Sequence, residues 1–270
     1  MTAVSPEMRA EIGQRLDVIE AEEEVRILLA IESGSRAWGF HSTDSDYDVR
    51  FVYARPIDWH MRVRSGRDVV ERPISDALDL SGWDLRKTLG LMLGSNAVAL
   101  EWLQSPIRYR EVPGFAHELL AFGRRVLRRR PVMWHYLRLA ERQMERLRTE
   151  DGRVRLKPYF YTVRPVLALR WLRLRAEAAV PPMDMARLLD EAQPDASVTE
   201  RIQALIEEKR AAEGALSSAT LTDIDAMIGD EIAEAKAELG DGRPEMRGQH
   251  SDEADDMHIR WTRAMEEVWQ

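Results

Sequence analysis

Between residues 6 and 24 apolar side chains recur every three or four positions, at Met8, Ile12, Leu16 and Ile19. This spacing predicts an amphipathic helix with one narrow buried stripe. Glu22, Glu23 and Glu24 close it. Residues 25–31 form a short, largely apolar run that reads as a buried strand, and a tight turn follows at 33–39 with glycine at 34 and 39. Residues 47–53 alternate apolar and polar as a half-buried strand does. Residues 68–72 and 74–80 are weaker strand candidates on either side of Pro73.

From Gly82 the period becomes helical. Trp83, Leu85, Leu89, Met92 and Leu93 form one face, and residues 98–103 a second after Gly94, Ser95 and Asn96. Further helices are expected at 114–130, 131–148, 157–175, 183–191, 198–213 and 221–239. Pro131 suits a first helical position, and Pro165 must start or kink its helix. Residues 240–256 are polar and punctuated by glycine and proline, which predicts a loop before a last short helix at 257–269. The expected fold class is α+β: a small mixed β-sheet core with flanking helices over residues 1–105, then an all-helical domain over 106–270.

Composition narrows the class. Of 270 residues, 44% are hydrophobic and 32% charged, enough apolar material for a sizeable core. No apolar stretch approaches the roughly 18–20 residues of a membrane span, and the N-terminal residues lack the basic and apolar regions of a secretory signal. The absence of cysteine excludes disulfides, thiolate metal ligands and a cysteine nucleophile. A soluble cytoplasmic protein is expected. The net charge of −8 hides an asymmetry, because residues 106–180 hold 18 basic and 7 acidic side chains. Such a stretch faces nucleotide phosphates, RNA or an acidic part of the same protein, unless it is simply a helix surface laced with ion pairs.

The chemistry concentrates between residues 34 and 50. Asp46 and Asp48 are two apart at the start of a predicted strand, so both carboxylates share one face. Adjacent carboxylates repel, and a divalent cation relieves the cost; hard oxygen donors suit Mg²⁺ or Mn²⁺. An isolated Asp-x-Asp is a weak signal, common in ordinary turns and surface strands. Gly34 and Ser35 lie just beyond the first apolar strand, where a glycine lets backbone approach a ligand and a hydroxyl with free amides can hold phosphate oxygens. Alone, that pair reads as an ordinary corner. In order, strand, Gly-Ser turn, spacer and Asp-x-Asp strand suit in-line attack on an α-phosphate assisted by two metals.

The segment Ile31-Glu-Ser-Gly34-Ser35-Arg-Ala-Trp-Gly39 through Asp46-Tyr-Asp48-Val-Arg50-Phe resembles the signature of the DNA polymerase beta-like nucleotidyltransferase superfamily. Further stretches are similar to its RNA-repair-associated branch, the RlaP or YcgL type. These are Leu80-Ser-Gly-Trp-Asp84-Leu-Arg-Lys87, Ser95-Asn96 with Glu101-Trp-Leu-Gln-Ser-Pro106, and Lys157-Pro-Tyr-Phe-Tyr161-Thr-Val-Arg164-Pro165 with Trp171. Together they span about residues 25–190. The resemblance implies a nucleotidyltransferase core in the first domain, with the helical domain as the other wall of the nucleotide cleft.

It also implies a third metal carboxylate on a neighbouring strand. Asp76, Asp79 and Asp84 are the candidates, and Asp79 is favoured because Leu78 and Leu80 flank it as on a central strand; Asp84 can instead serve a helix start. Arg36 and Arg50 are the cations nearest the site, and Arg50 either contacts a phosphate or pairs with an aspartate. Lys87 and Lys157 are two of only four lysines, and both fall in family motifs. Lys157, Tyr161 and Arg164 are expected to grip the triphosphate and the nucleoside, against the plainer reading of a core tyrosine and a solvated lysine.

The expected function is metal-dependent transfer of a nucleoside monophosphate from a nucleoside triphosphate to an acceptor hydroxyl, with release of pyrophosphate. Asp46, Asp48 and Asp79 hold Mg²⁺ or Mn²⁺, and an RNA end is one candidate acceptor. The alternatives are a catalytically silent nucleotide- or RNA-binding regulatory module, and an RNA-binding protein acting through the basic helices. Arg124, Arg125 and Arg128–Arg130 read as a solvated helix end, and residues 251–256 as an acidic loop. The six histidines, at 41, 60, 117, 135, 250 and 258, show no pair at metal-ligand spacing.

Overall fold

The computed structural model describes residues 4–64, 66–75, 77–144, 147, 154–211, 216–217, 221–240 and 250–269. The chain opens with α1 (Pro6–Glu23), β1 (Arg26–Glu32), α2 (Gly34–Trp38), β2 (Tyr47–Ala54), α3 (Ile57–His60), β3 (Val69–Glu71) and β4 (Leu78–Asp84). It continues through α4 (Leu85–Leu93), α5 (Val98–Leu103), β5 (Arg108–Glu111), α6 (Phe115–Val126), α7 (Arg129–Met144), β6 (Val154–Arg155) and α8 (Leu156–Leu174). Last come α9 (Met185–Ala192), α10 (Ala196–Ala211), β7 (Leu216–Ser217), α11 (Thr222–Leu239) and α12 (Ser251–Trp269). Two compact units result: Met1–Ala37 with Asp46–Val126 and Met246–Gln270, and Trp38–Ser45 with Leu127–Glu245.

The first unit is built on a five-stranded sheet of order β3-β4-β2-β1-β5. Only β2 and β4 run parallel; the other pairings are antiparallel. α1 begins at Ser5, whose hydroxyl accepts from the Met8 amide at 3.2 Å, with Pro6 in the first turn. Its stripe of Ile12, Leu16 and Ile19 is buried against Val49, Phe51 and Tyr53 of β2 and Leu78 and Leu80 of β4. Strand alternation therefore turns Asp48, Arg50 and Asp79 to the opposite face. Gly82 permits the Phe51 ring to lie across β4, since a Cβ there would meet it at 2.1 Å. α4 packs on β2 and β4, α5 and α6 on β1, and α12 on α3, α4 and β2.

The second unit is helical. α7 and α8 pair, α9 and α11 pack on α8, and β6 joins β7 in a small antiparallel ladder. Its basic side chains are answered from within. Arg170 and Arg173 reach Glu231 at 2.6 and 2.8 Å, Arg129 pairs with Glu238, and Lys236 meets Glu141 at 2.9 Å. Of the partners that the charge asymmetry suggested, an acidic part of the same protein is the one these pairs supply. Among the described residues, no helix is long and apolar enough to cross a membrane.

The α+β class holds, with several local differences. The turn at 33–39 closes into the short α2. β4 starts at Leu78 and includes Trp83 and Asp84, later than the expected strand, because its parallel register with β2 sets its extent. α8 runs through Pro165, which is buried, so packing on both sides carries the helix past the lost amide bond. α12 starts at Ser251, inside the segment expected as a loop; Asp252 and Glu253 suit a first helical turn. The expected boundary near residue 105 falls inside the first unit, because β5 pairs with β1 and α6 packs on it.

Candidate active site

The parallel register of β2 and β4 sets Asp48 directly opposite Asp79. Both carboxylates converge on one guanidinium nitrogen, Arg50 Nη2, at 3.1 and 2.7 Å, while Arg50 Nη1 donates to the Asp79 and Val49 carbonyls. The three side chains are 19–28% exposed, so the cluster is accessible from solvent. Of the two readings of Arg50, the aspartate pair is the one formed here. Asp46 sits one residue before β2 and is half-buried.

β1 delivers the Gly-Ser turn to this spot. The Ser33 amide donates to the Asp48 carbonyl at 2.8 Å, and the next residue, Gly34, has a φ of +58°. A Cβ on Gly34 would stand 1.9 Å from Asp48 Oδ2, so the carboxylate occupies the volume that only glycine leaves free. Ser35 is buried beside it. Arg36 is buried too, with its guanidinium carbon 3.7 Å from the centroid of the Tyr47 ring.

Beneath the carboxylates lies Glu32, fully buried at the end of β1. It accepts from the Asp48 amide at 3.1 Å and from the Tyr109 hydroxyl at 2.5 Å, and Arg36 stands 3.9 Å away. Burial pushes its carboxyl up to about 7, opposed by those hydrogen bonds and by Arg36. Glu32 is tied to the Asp48 backbone, a contact that the sequence reading missed. The signal was a single acid closing an otherwise apolar run just before the glycine turn.

Other expected residues lie elsewhere. Asp76 falls outside the described residues. Asp84 closes β4 at the end away from Asp79, about 17 Å along the strand by its rise per residue, and Lys87 follows in the first turn of α4. Lys87 pairs with Asp68 at 3.0 Å, and Asp84 caps α4 by accepting the Arg86 amide at 2.8 Å. Burial lifts the Asp84 carboxyl to about 6. Lys157, Tyr161 and Arg164 belong to α8 of the second unit. Lys157 is exposed; Tyr161 meets the edge of Trp38 at 4.9 Å; Arg164 is buried, donates to the Met183 carbonyl and covers the Trp38 ring.

The expectation of scattered histidines does not survive folding. His60, at the end of α3, and His258, on α12, lie edge to face with ring centroids 4.8 Å apart. Their sequence separation of nearly two hundred residues hid the pair.

Residues 8–260 match the family described as "RlaP: RNA repair pathway DNA polymerase beta family". The chain belongs to that family. It is 36% identical over 262 residues to the uncharacterized protein YcgL of Bacillus subtilis (strain 168), covering 97% of this chain and 98% of that one. Among solved structures it is similar to a nucleotidyltransferase-like protein from Exiguobacterium sibiricum 255-15, at 13% identity and a TM-score of 0.32 over 92% of this chain and 87% of that one. This RlaP-family chain carries an Asp-x-Asp pair at the start of β2, a glycine turn against Asp48 and a third aspartate in register on the adjacent parallel strand.

Proposed function

We propose that this protein transfers a nucleoside monophosphate from a nucleoside triphosphate to an acceptor hydroxyl, with an RNA end as the acceptor the family name favours. The observation that carries the reading is the convergence of Asp48 and Asp79 on a single cationic nitrogen beside Gly34. Two carboxylates already gathered around one positive charge are a donor set of the kind a hard divalent cation accepts. Asp46, Asp48 and Asp79 would hold Mg²⁺ or Mn²⁺, which neutralises charge on the attacking and leaving oxygens of an in-line displacement.

The chain's own residues have distinct parts in this scheme. Arg50 turns from the carboxylates to phosphate oxygens, a bidentate partner it suits. The Gly34–Ser35 backbone and the Ser35 hydroxyl receive the terminal phosphates, and Glu32 fixes the Asp48 amide. The acceptor oxygen bonds to the α-phosphorus, its proton passes to a site carboxylate, with Asp79 the candidate, and the bond to pyrophosphate breaks. Lys157 and Tyr161 enter as candidate nucleotide contacts on their sequence motif.

The test is pyrophosphate release from ATP, GTP, CTP and UTP, with and without Mg²⁺, in the presence of RNA oligonucleotides bearing a free 3′ hydroxyl. Metal-dependent release that Asp48→Ala abolishes in a folded protein supports the proposal. A second reading rests on the Arg50 bridge, which neutralises the acidic pair internally as a silent nucleotide-binding module would. Metal-independent nucleotide binding, unchanged by Asp48→Ala and without turnover, would favour that module.

A further inference from the structure

At the other end of β4 from Asp79 the first unit gathers a second set of donors. His60, Asp84 and His258 each offer one ligand atom, and these atoms lie within 4.8 Å of one another. They come from the end of α3, the cap of α4 and the middle of α12. Asp84 is 1% exposed. Its Oδ1 is used by the Arg86 amide, but its Oδ2 makes no hydrogen bond among the described residues. The same holds for Nε2 of His258 and, apart from a weak approach to the Arg55 backbone, for the ring nitrogens of His60.

We propose that His60, Asp84 and His258 form a transition-metal site, with Zn²⁺ the first-choice occupant, that clips α12 to the sheet unit.

Edge-to-face packing of the two imidazoles accounts for their rings but leaves buried polar atoms of all three residues short of partners among the described residues, a cost of a kind folded proteins rarely accept. Two imidazoles and one carboxylate form a three-donor set that tetrahedral Zn²⁺ takes with a water in the fourth position. Side-chain rotations of about 1 Å would bring the donors to the spacing that bonds of ~2.0–2.1 Å require. The surroundings also select against a hard ion. Two imidazole donors suit a borderline metal, and a single carboxylate gives Mg²⁺ little to hold. The site is independent of nucleotidyl transfer, since it shares no residue with the Asp46, Asp48 and Asp79 set.

The test uses the full chain without a polyhistidine tag. After EDTA stripping, Co²⁺ is titrated in excess Mg²⁺, which occupies the Asp46, Asp48 and Asp79 set, while visible d–d absorption is followed, and Zn²⁺ is then used to displace it; metal content is also measured on untreated protein. One equivalent is expected, with a melting temperature that rises on adding Zn²⁺. Affinity should fall about 10–100-fold or more in His258→Gln and in His60→Gln, and stay unchanged in Asp48→Asn. Should His60→Gln fail to fold, His258→Gln on α12 carries the comparison. No stoichiometric binding of Co²⁺ or Zn²⁺ would overturn the proposal. So would binding that survives in the His60→Gln, His258→Gln double variant, or that Asp48→Asn removes.

Discussion

The two ends of one parallel strand pair hold aspartates in opposite circumstances. At the β2–β4 entry, Asp48 and Asp79 face each other across the register, partly open to solvent and bridged by Arg50. At the exit, Asp84 stands opposite Tyr53, 1% exposed, with burial raising its carboxyl to about 6. Asp79 and Asp84 differ by five positions and not at all in chemistry. What separates them is solvent: the accessible carboxylate pair is the one the proposed function gives to metal and phosphate, whereas the buried Asp84 caps α4 and, in the site proposed above, offers its second oxygen beside His60 and His258.

The sharpest way to break this contrast is substitution at each end. Asp48→Ala or Asp79→Asn should lower turnover by on the order of 10³-fold or more with little change in the melting curve. Asp84→Ala should register first in the melting curve, by about 0.5–2 kcal/mol for the lost cap of α4. If Asp79→Asn proves mild, the third carboxylate lies elsewhere and the register argument fails. Gly34→Ala comes next. Its Cβ would collide with Asp48 Oδ2 at a φ of +58°, so turnover should fall on the order of 10²-fold and stability by about 1–3 kcal/mol.

Arg50→Gln sharpens the comparison through its dependence on metal. Without the guanidinium the two carboxylates repel, so the variant should melt earlier than the wild type in EDTA. Mg²⁺ should then restore more of its stability than it gives the wild type, as differential scanning calorimetry would read. An equal response to Mg²⁺ in both proteins would argue that the carboxylates do not share an ion.

The smallest effect expected is at α12. Glu118 on α6 accepts from Arg260 and from Trp261 Nε1, and the Arg260 hydrogen bond in particular holds its carboxyl below the usual range. A depressed folded-state pKa contributes stability above pH about 4.5 that is lost as pH falls through the folded value. Glu118→Gln should therefore cost up to about 1 kcal/mol at pH 7, and the gap to wild type should narrow progressively as pH falls below about 4.5. Trp261 fluorescence during denaturant titrations at both pH values measures it. A gap that persists in acid would mean that packing, and not the ion pair, holds α12.

The elements with strong periodicity were legible in the chain. α1, β1, β2 and α11 lie within a residue or two of where their apolar spacing puts them, because each buries a continuous stripe or face. β5 was not legible: Arg108-Tyr-Arg-Glu111 is a polar edge strand whose only ladder is with β1, so tertiary pairing alone makes it a strand. α3 is four residues long, too short for any period to show. Glu32 looked like the end of an apolar run, and its contact with the Asp48 amide exists only because β1 and β2 pair.

The sequence by itself set Asp48 on a strand with Asp46 just ahead of it and a glycine turn before both, since these depend on spacing over a few residues. It also made Asp79 the favoured third acid, from its apolar flanks. Only the tertiary structure set Asp79 opposite Asp48, drew Arg50 between them, moved Lys87 to the far end of β4 and joined His60 to His258. Those outcomes depend on strand register and on helices that meet across nearly the whole chain. Local alternation of polar and apolar residues carries no record of which distant partner will face a given side chain.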